Sequence, residues 1–339
     1  MRLKVPAFID LHVHLREPGQ THKGDIAHET RAALAGGFHT ILAMPNTLPP
    51  PDTPERFLEI EGLIREKAAA GCRVMQTGCL TVGRNGKEPT DAQALKEAGA
   101  LALSDDGSTP QDTGVMREVA RRTAEAGLLV VDHCEDAEST RRGEIAMVER
   151  DIELAGETGA RFHLQHLSTR EAVELLSDAQ KSGLHVSGEA TPHHLALTAA
   201  AIDTFGTNAK MAPPLRDEAD RRALVQAVAD GVIAVIATDH APHSTEEKAL
   251  PFPRAPNGIL GLESAFSVCN RVLVESGPVS FQRMIDALTA APARILGIPL
   301  PDSEILVETE GCFTIPPPVC SMASNCPWTG FQGWGYVIG

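Results

Sequence analysis

Histidines and acids gather in short clusters along this sequence, and their types suit metal chemistry. The first cluster is Asp10-Leu11-His12-Val13-His14-Leu15-Arg16. Two residues apart on a strand, His12 and His14 share a face and can reach one metal ion, which leaves Leu11 and Val13 to pack outward against helices. Further clusters are Ser104-Asp105-Asp106-Gly107, Asp132-His133-Cys134-Glu135-Asp136, His163-Leu164-Gln165-His166 and Thr238-Asp239-His240-Ala241-Pro242-His243. Imidazole and carboxylate together suit zinc, with other first-row divalent ions as alternatives. Four histidines and two carboxylates exceed what one tetrahedral site needs. Two metals sharing a bridging carboxylate and a bridging hydroxide would use all six, make a nucleophile at neutral pH and polarise a carbonyl. A carboxylate beside the hydroxide can accept its proton and pass it to a leaving nitrogen. Spacing alone does not choose between Asp105 and Asp106, or between His163 and His166.

Such groups converge only if the fold brings distant stretches together. Short apolar runs predict strands at Ala7–Leu15, His39–Asn46, Arg73–Leu80, Ala100–Asp105, Leu128–His133, Arg161–Leu167, Leu184–Ala190 and Ile233–Thr238. Amphipathic stretches between them predict helices, among them Ile26–Ala35, Gly114–Ala126, Ile145–Thr158 and Thr169–Lys181. Eight alternations read as an α/β fold, a closed (β/α)8 TIM-like barrel. An open doubly wound sheet would usually carry a glycine-rich first turn, and Arg16-Glu17-Pro18-Gly19-Gln20 has none. Barrels carry their chemistry at the carboxyl ends of their strands, where the clusters above fall.

Composition narrows the function. Of 339 residues, 42% are hydrophobic and 22% charged, which is globular usage. Lys and Arg number 30 and Asp and Glu 45, a formal charge of −15, so nucleic-acid binding is not expected. No apolar run approaches a membrane span, and the opening Met1–Pro6 does not read as a signal peptide. The 7 cysteines are scattered, which fits reduced thiols and a cytoplasmic protein. Trp328, Trp334 and Tyr336, all the tryptophan and tyrosine of the chain, lie in a tail of different character. The division expected is a barrel over 1–300 and a degenerate tail over 301–339.

The run Phe8-Ile9-Asp10-Leu11-His12-Val13-His14-Leu15-Arg16-Glu17-Pro18-Gly19 resembles the first-strand signature of bacterial dihydroorotases, in the amidohydrolase superfamily. Ala43-Met44-Pro45-Asn46-Thr47, Ser104–Gly107, Asp132–Asp136, Gln165-His166-Leu167-Ser168-Thr169, Ala190-Thr191-Pro192-His193-His194 and Thr238–His243 follow the same family in order. The resemblance implies a metal-dependent hydrolase barrel that interconverts L-dihydroorotate and N-carbamoyl-L-aspartate in pyrimidine (UMP) synthesis. It implies two zinc ions per chain, bridged by Asp106 and a hydroxide. His12, His14 and Asp239 would hold one ion, and His133 and His166 the other. Asp239 would also be the general acid and base. Arg16, Asn46 and His243 would bind substrate, with main chain at Pro256 and Gly258 against the pyrimidine ring. An arginine at 16 suits an anionic substrate, since its guanidinium can grip a carboxylate with two hydrogen bonds. His193 and His194 read as structural, and His22, His28, His39 and His185 as non-catalytic.

The sequence also departs from the family. The stretch that in relatives builds half of a small β-sandwich ahead of the barrel is expected to be absent, and the tail only faintly echoes the closing strands. The small β-sandwich is therefore expected to be reduced or missing, with a strand edge and an apolar face exposed unless covered. Arg141-Arg142-Gly143-Glu144 stands where relatives carry a longer loop, and Ala212 stands where the family commonly has Asn. These departures keep two other readings open. One is another cyclic-amide hydrolase: a dihydropyrimidinase, hydantoinase or allantoinase. The other is a weakly active scaffold subunit partnering aspartate transcarbamoylase. A homodimer is the further partner expected.

Overall fold

The computed structural model describes residues 1–339. Eleven strands occur: β1 Arg2–Pro6, β2 Phe8–Val13, β3 Phe38–Ala43, β4 Arg73–Gln76, β5 Ala102–Leu103, β6 Leu129–Asp132, β7 Arg161–Leu164, β8 Val186–Ala190, β9 Val235–Ile236, β10 Glu304–Thr314 and β11 Gln332–Val337. Strands β2-β3-β4 and β5-β6-β7-β8-β9 form two parallel sheets. Parallel bridges join their edges, Gly78 to Leu103 on one side and Val13 to His240 on the other, so the eight strands close into a barrel. Each expected strand overlaps one of these eight.

Local chemistry sets the helices between them. Asp25, Thr53, Asp112, Thr140 and Thr169 cap helix N-termini, each side chain accepting a backbone N–H three residues on. The helix expected from Ile145 starts earlier, at Arg141, because Thr140 provides the cap. The Arg141–Glu144 stretch is thus its first turn. Arg141 pairs with Asp220 at 2.5 Å, and Glu144 accepts from the Ser168 and Thr169 amides at 2.8 and 3.0 Å. Those bonds tie the helices Arg141–Thr158, Arg170–Lys181 and Glu218–Asp230 together beside the strand ends. Further helices follow at Phe281–Leu288 and Ala290–Leu296, where no helix was expected.

Two apolar layers hold the barrel. Outward side chains such as Phe8, Phe38, Val130 and Phe162 pack beneath the helices. Ile9, Leu11, Leu42, Met44 and Val131 fill the interior, closed below by Ala291, Ala293 and Leu296. Leu11 therefore points inward, against the expectation that it packs outward with Val13. The pairing register of β2 on β3 shifts between Asp10 and Val13, and that irregularity breaks strict alternation. Buried Asp10 holds the bend, accepting from the His12 amide at 3.0 Å and from the Thr238 hydroxyl at 2.6 Å.

The tail is ordered. β1, β10 and β11 form an antiparallel sheet, so β1 at the front of the 1–300 stretch pairs inside the 301–339 stretch. Ile305 and Val307 join the outer core, and fully buried Trp328 packs on Val268 and Ile315. The sheet's inner face rests on the segment Ala265–Glu275: Ser267 donates to the Gly335 carbonyl at 2.7 Å, and Asn270 to the Trp334 carbonyl at 2.7 Å. Gly335 lies at φ +66°, and a Cβ there would sit 2.2 Å from the Glu308 carbonyl, so only glycine permits this approach. The apolar face that such a sheet would otherwise expose is covered here by the barrel.

Candidate functional site

Six side chains from five strand ends converge at the carboxyl end of the barrel. Their ligand atoms fall into three overlapping groups: His12 with His14 and Asp106, His12 with His166 and Asp239, and Asp106 with His133 and His166. His12 Nε2 lies 3.1 Å from Asp106 Oδ1 and 3.3 Å from Asp239 Oδ1. His14 Nε2 lies 3.0 Å from Asp239 Oδ1 and 3.6 Å from Asp106 Oδ2. His133 Nδ1 is 3.5 Å from Asp106 Oδ1 and 2.7 Å from His166 Nε2. Asp106 thus touches three of the histidines and sits between the pairs.

The structure separates the near alternatives. Asp105 turns away, taking the Leu80 and Thr81 amides at 2.9 and 3.1 Å and the Thr81 hydroxyl. His163 lies inside the barrel wall, on Ser187 at 2.9 Å and Glu189 at 3.0 Å. Asp106 and His166 face the cluster instead.

Each outer nitrogen on three of the histidines is held by an acceptor. His12 Nδ1 meets Glu189 at 2.8 Å, His14 Nδ1 meets the Asn46 amide oxygen at 3.0 Å, and His133 Nε2 meets Glu135 at 2.9 Å. An acceptor there fixes the proton on the far nitrogen and aims the other lone pair into the cluster. Glu189 serves twice, since it also holds His163, and its other contact is the His166 amide at 3.3 Å. Burial opposes its ionisation, but the hydrogen bonds from His12 and His163 lower its pKa to about 2. Burial likewise opposes charge on Asp106, yet His14 and His12 hold it well below the usual carboxylate range. Burial and the nearby His133 and His12 keep His166 well below its ordinary value, so its ring is neutral.

These atoms fit a divalent ion. His12 Nε2 is buried and makes no hydrogen bond despite the two carboxylates beside it, which is how a ligand nitrogen is placed. The donors are nitrogen and oxygen, the set that suits zinc and its neighbours. Backbone geometry is unusual at three of the site residues: Arg16, His166 and Asp239 have φ of +63°, +34° and +46°. Non-glycine residues in this region carry strain that the surrounding packing must hold.

A cavity of about 870 Å³ opens over the cluster. Arg16, Asn46, Ala212, His243 and Gly258 line it. Arg16 donates from Nε to the Pro242 carbonyl at 3.1 Å and from Nη2 to His243 Nε2 at 3.2 Å. Burial and the Arg16 charge lower the His243 pKa to about 3, leaving a neutral ring that accepts from Arg16. Asn46 keeps both its amide atoms in the cluster, on His14 and, at 3.1 Å, on Asp106. Pro256 is not brought to the cavity: its carbonyl accepts from buried Lys248 at 3.0 Å. Gly258 reaches the wall, but its N–H is on the Lys210 carbonyl at 2.9 Å and its carbonyl on Lys248 at 2.9 Å, so neither group is free for a ring. His194 is bonded to Thr191 and to the Pro213 carbonyl at 2.8 and 2.9 Å, away from the cluster.

Glu189 went unassigned in the sequence because it stands alone in its strand, with no spacing to mark it. Glu135 and Asn46 were visible within motifs; Glu135 holds His133 two residues away in its own strand end, whereas the hold of Asn46 on His14 depends on the neighbouring strand.

Comparison with known proteins agrees with this geometry. A profile of the dihydro-orotase-like family matches residues 1–155. A dihydroorotase from Elusimicrobium minutum (strain Pei191) is 39% identical over 98% of this chain and 83% of its own length. One from Geobacillus sp. (strain WCH70) is 42% identical over 98% of this chain and 84% of its own. Among solved structures, the L-hydantoinase (dihydropyrimidinase) from Arthrobacter aurescens superposes with a TM-score of 0.90 over 99% of this chain and 83% of that one. Its sequence is 22% identical, a likeness of fold.

Proposed function

The chain belongs to the dihydroorotase family of metal-dependent cyclic amidohydrolases, and on that footing we propose that it interconverts L-dihydroorotate and N-carbamoyl-L-aspartate. The observation that carries the reading is the meeting of His12, His14, Asp106, His133, His166 and Asp239 under a cavity with an arginine in its wall. We assign His12, His14 and Asp239 to one zinc ion and His133 and His166 to a second, with Asp106 between them. Bound there, such ions activate water and polarise the ring carbonyl.

The chain's own groups do the rest. Arg16 is buried, and its guanidinium is held on one side by Pro242 and His243, which leaves the fork to receive the substrate carboxylate. The neutral His243 ring keeps that fork in register without adding a competing charge. Asp239, with one oxygen near His14 and His12, accepts the proton of the attacking water and returns it to the amide nitrogen as the ring opens. Closure of the ring retraces the same transfers. Ala212 offers the substrate no amide from its position on the wall. That leaves hydantoin and allantoin as competing substrates, and a second reading as a hydantoinase or allantoinase.

No helix is long and apolar enough to cross a membrane. All seven cysteines are unpaired, which supports the expected cytoplasmic setting. A second copy of the chain and an aspartate transcarbamoylase remain the proposed protein partners.

Zinc stoichiometry and dihydroorotate turnover, measured on one sample, test the function. Two ions per chain with turnover are expected. Turnover of hydantoin or allantoin in its place transfers the assignment to those rings. A chain that binds no metal and turns over nothing, with or without a transcarbamoylase, is a scaffold.

A further inference from the structure

The tail carries a residue that lies behind one wall of the cavity and bonds the loops that line it. Asn325, 2% exposed, lies far along the chain from every metal ligand. Its Nδ2 donates to the Ala241 carbonyl at 2.9 Å and to the Gly258 carbonyl at 3.0 Å, and its Oδ1 accepts from the His243 amide at 3.1 Å. One side chain therefore joins two separate loops, the one after β9 that presents His243 and the one that presents Gly258. Those loops touch directly: a Cβ on Gly258 would lie 2.6 Å from the His243 ring. The backbone around Asn325 is fastened as well. The Leu260 amide donates to the Asn325 carbonyl at 3.1 Å, and Trp328 Nε1 donates to the Leu260 carbonyl at 3.1 Å. Glu263 holds the amides of Val319 and Ser321 at 3.0 and 3.1 Å.

From this arrangement we infer that Asn325 is a positioning residue, which sets the His243–Gly258 wall, and through His243 the Arg16 fork, while leaving the metal ligands untouched. The inference rests on the reading of this cavity as the substrate site. Asn325 has no bond to any of the six cluster residues, so its influence should fall on substrate fit. Without it, the Ala241 and Gly258 carbonyls and the His243 amide each lose a buried partner.

The test is Asn325→Ala and Asn325→Asp beside wild type and Trp334→Ala, a substitution in the small sheet away from the cavity. Asn325→Ala is expected to raise KM for dihydroorotate at least about tenfold, with kcat within about threefold of wild type. Metal content should not change. Asn325→Asp keeps an acceptor for His243 but sets a carboxylate oxygen against two carbonyls, so its KM should rise no less. Trp334→Ala should leave KM unchanged. Hydrogen exchange, which needs no turnover, should quicken at 241–243 and 258–260 in Asn325→Ala and stay constant at 12–14. Unchanged KM and exchange overturn the inference, as does a parallel fall in kcat, metal content and KM fit. Should Asn325→Ala not fold, Asn325→Asp with a wild-type KM overturns it equally. If wild type itself turns over no dihydroorotate, the functional reading fails, and exchange alone decides the role of Asn325.

Discussion

The ligand cluster and the wall that faces it are held by different kinds of bond. In the cluster, side chains hold side chains: Glu189, Asn46 and Glu135 each lie behind a histidine, and all of them stand on barrel strands or immediately after them. In the wall, side chains hold main chain: Asn325 and Lys248 reach the carbonyls and amide of two loops. A strand end is fixed by its sheet, so a ligand there needs only its ring turned correctly. A loop has no sheet to fix it and must be pinned at its backbone. Under the function proposed above, reaction chemistry belongs to the cluster and substrate fit to the wall, and the two should fail separately when broken.

The largest break expected is Asp239→Asn. It removes the proposed proton carrier, and kcat should fall about 10³-fold, a typical general acid–base contribution. Steady-state kinetics at saturating dihydroorotate would show it, and a kcat near wild type would move the proton transfer elsewhere. Next in size is Glu189→Ala, which leaves His12 and His163 without their shared acceptor. Metal affinity should weaken about 10–100-fold, as for other outer partners of metal-bound histidine. Competition with a chelator reads this directly, and an unchanged affinity would detach Glu189 from the cluster. Smaller again is Arg16→Lys, which keeps the charge and loses the planar fork. KM should rise about tenfold with metal content constant.

The smallest kinetic effect sharpens the comparison from the far side. Ile305 is 1% exposed where the small sheet meets the barrel. Ile305→Ala should cost about 2–5 kcal/mol in denaturant unfolding, yet leave kcat and KM of the folded enzyme within about twofold. A KM shift there would extend the wall's support from Asn325 into the sheet.

The amino-acid sequence by itself determined the eight strand–helix alternations and the residue types at the strand ends. Those are local properties: period and the His-x-His spacing are written within a few residues. Tertiary structure decided what adjacency leaves open. Asp105 and Asp106 are neighbours of one type, and the Thr81 hydroxyl with two amides captures the first and so frees the second. Leu11 points inward in step with Ile9, and the register shift between Asp10 and Val13 then turns Val13 to the outer layer, a change that no alternation pattern announces. Glu189 and Asn325 gained their places only when strands and tail came together, because a buried hydrogen bond is a fact about two positions, and the sequence records each of them alone.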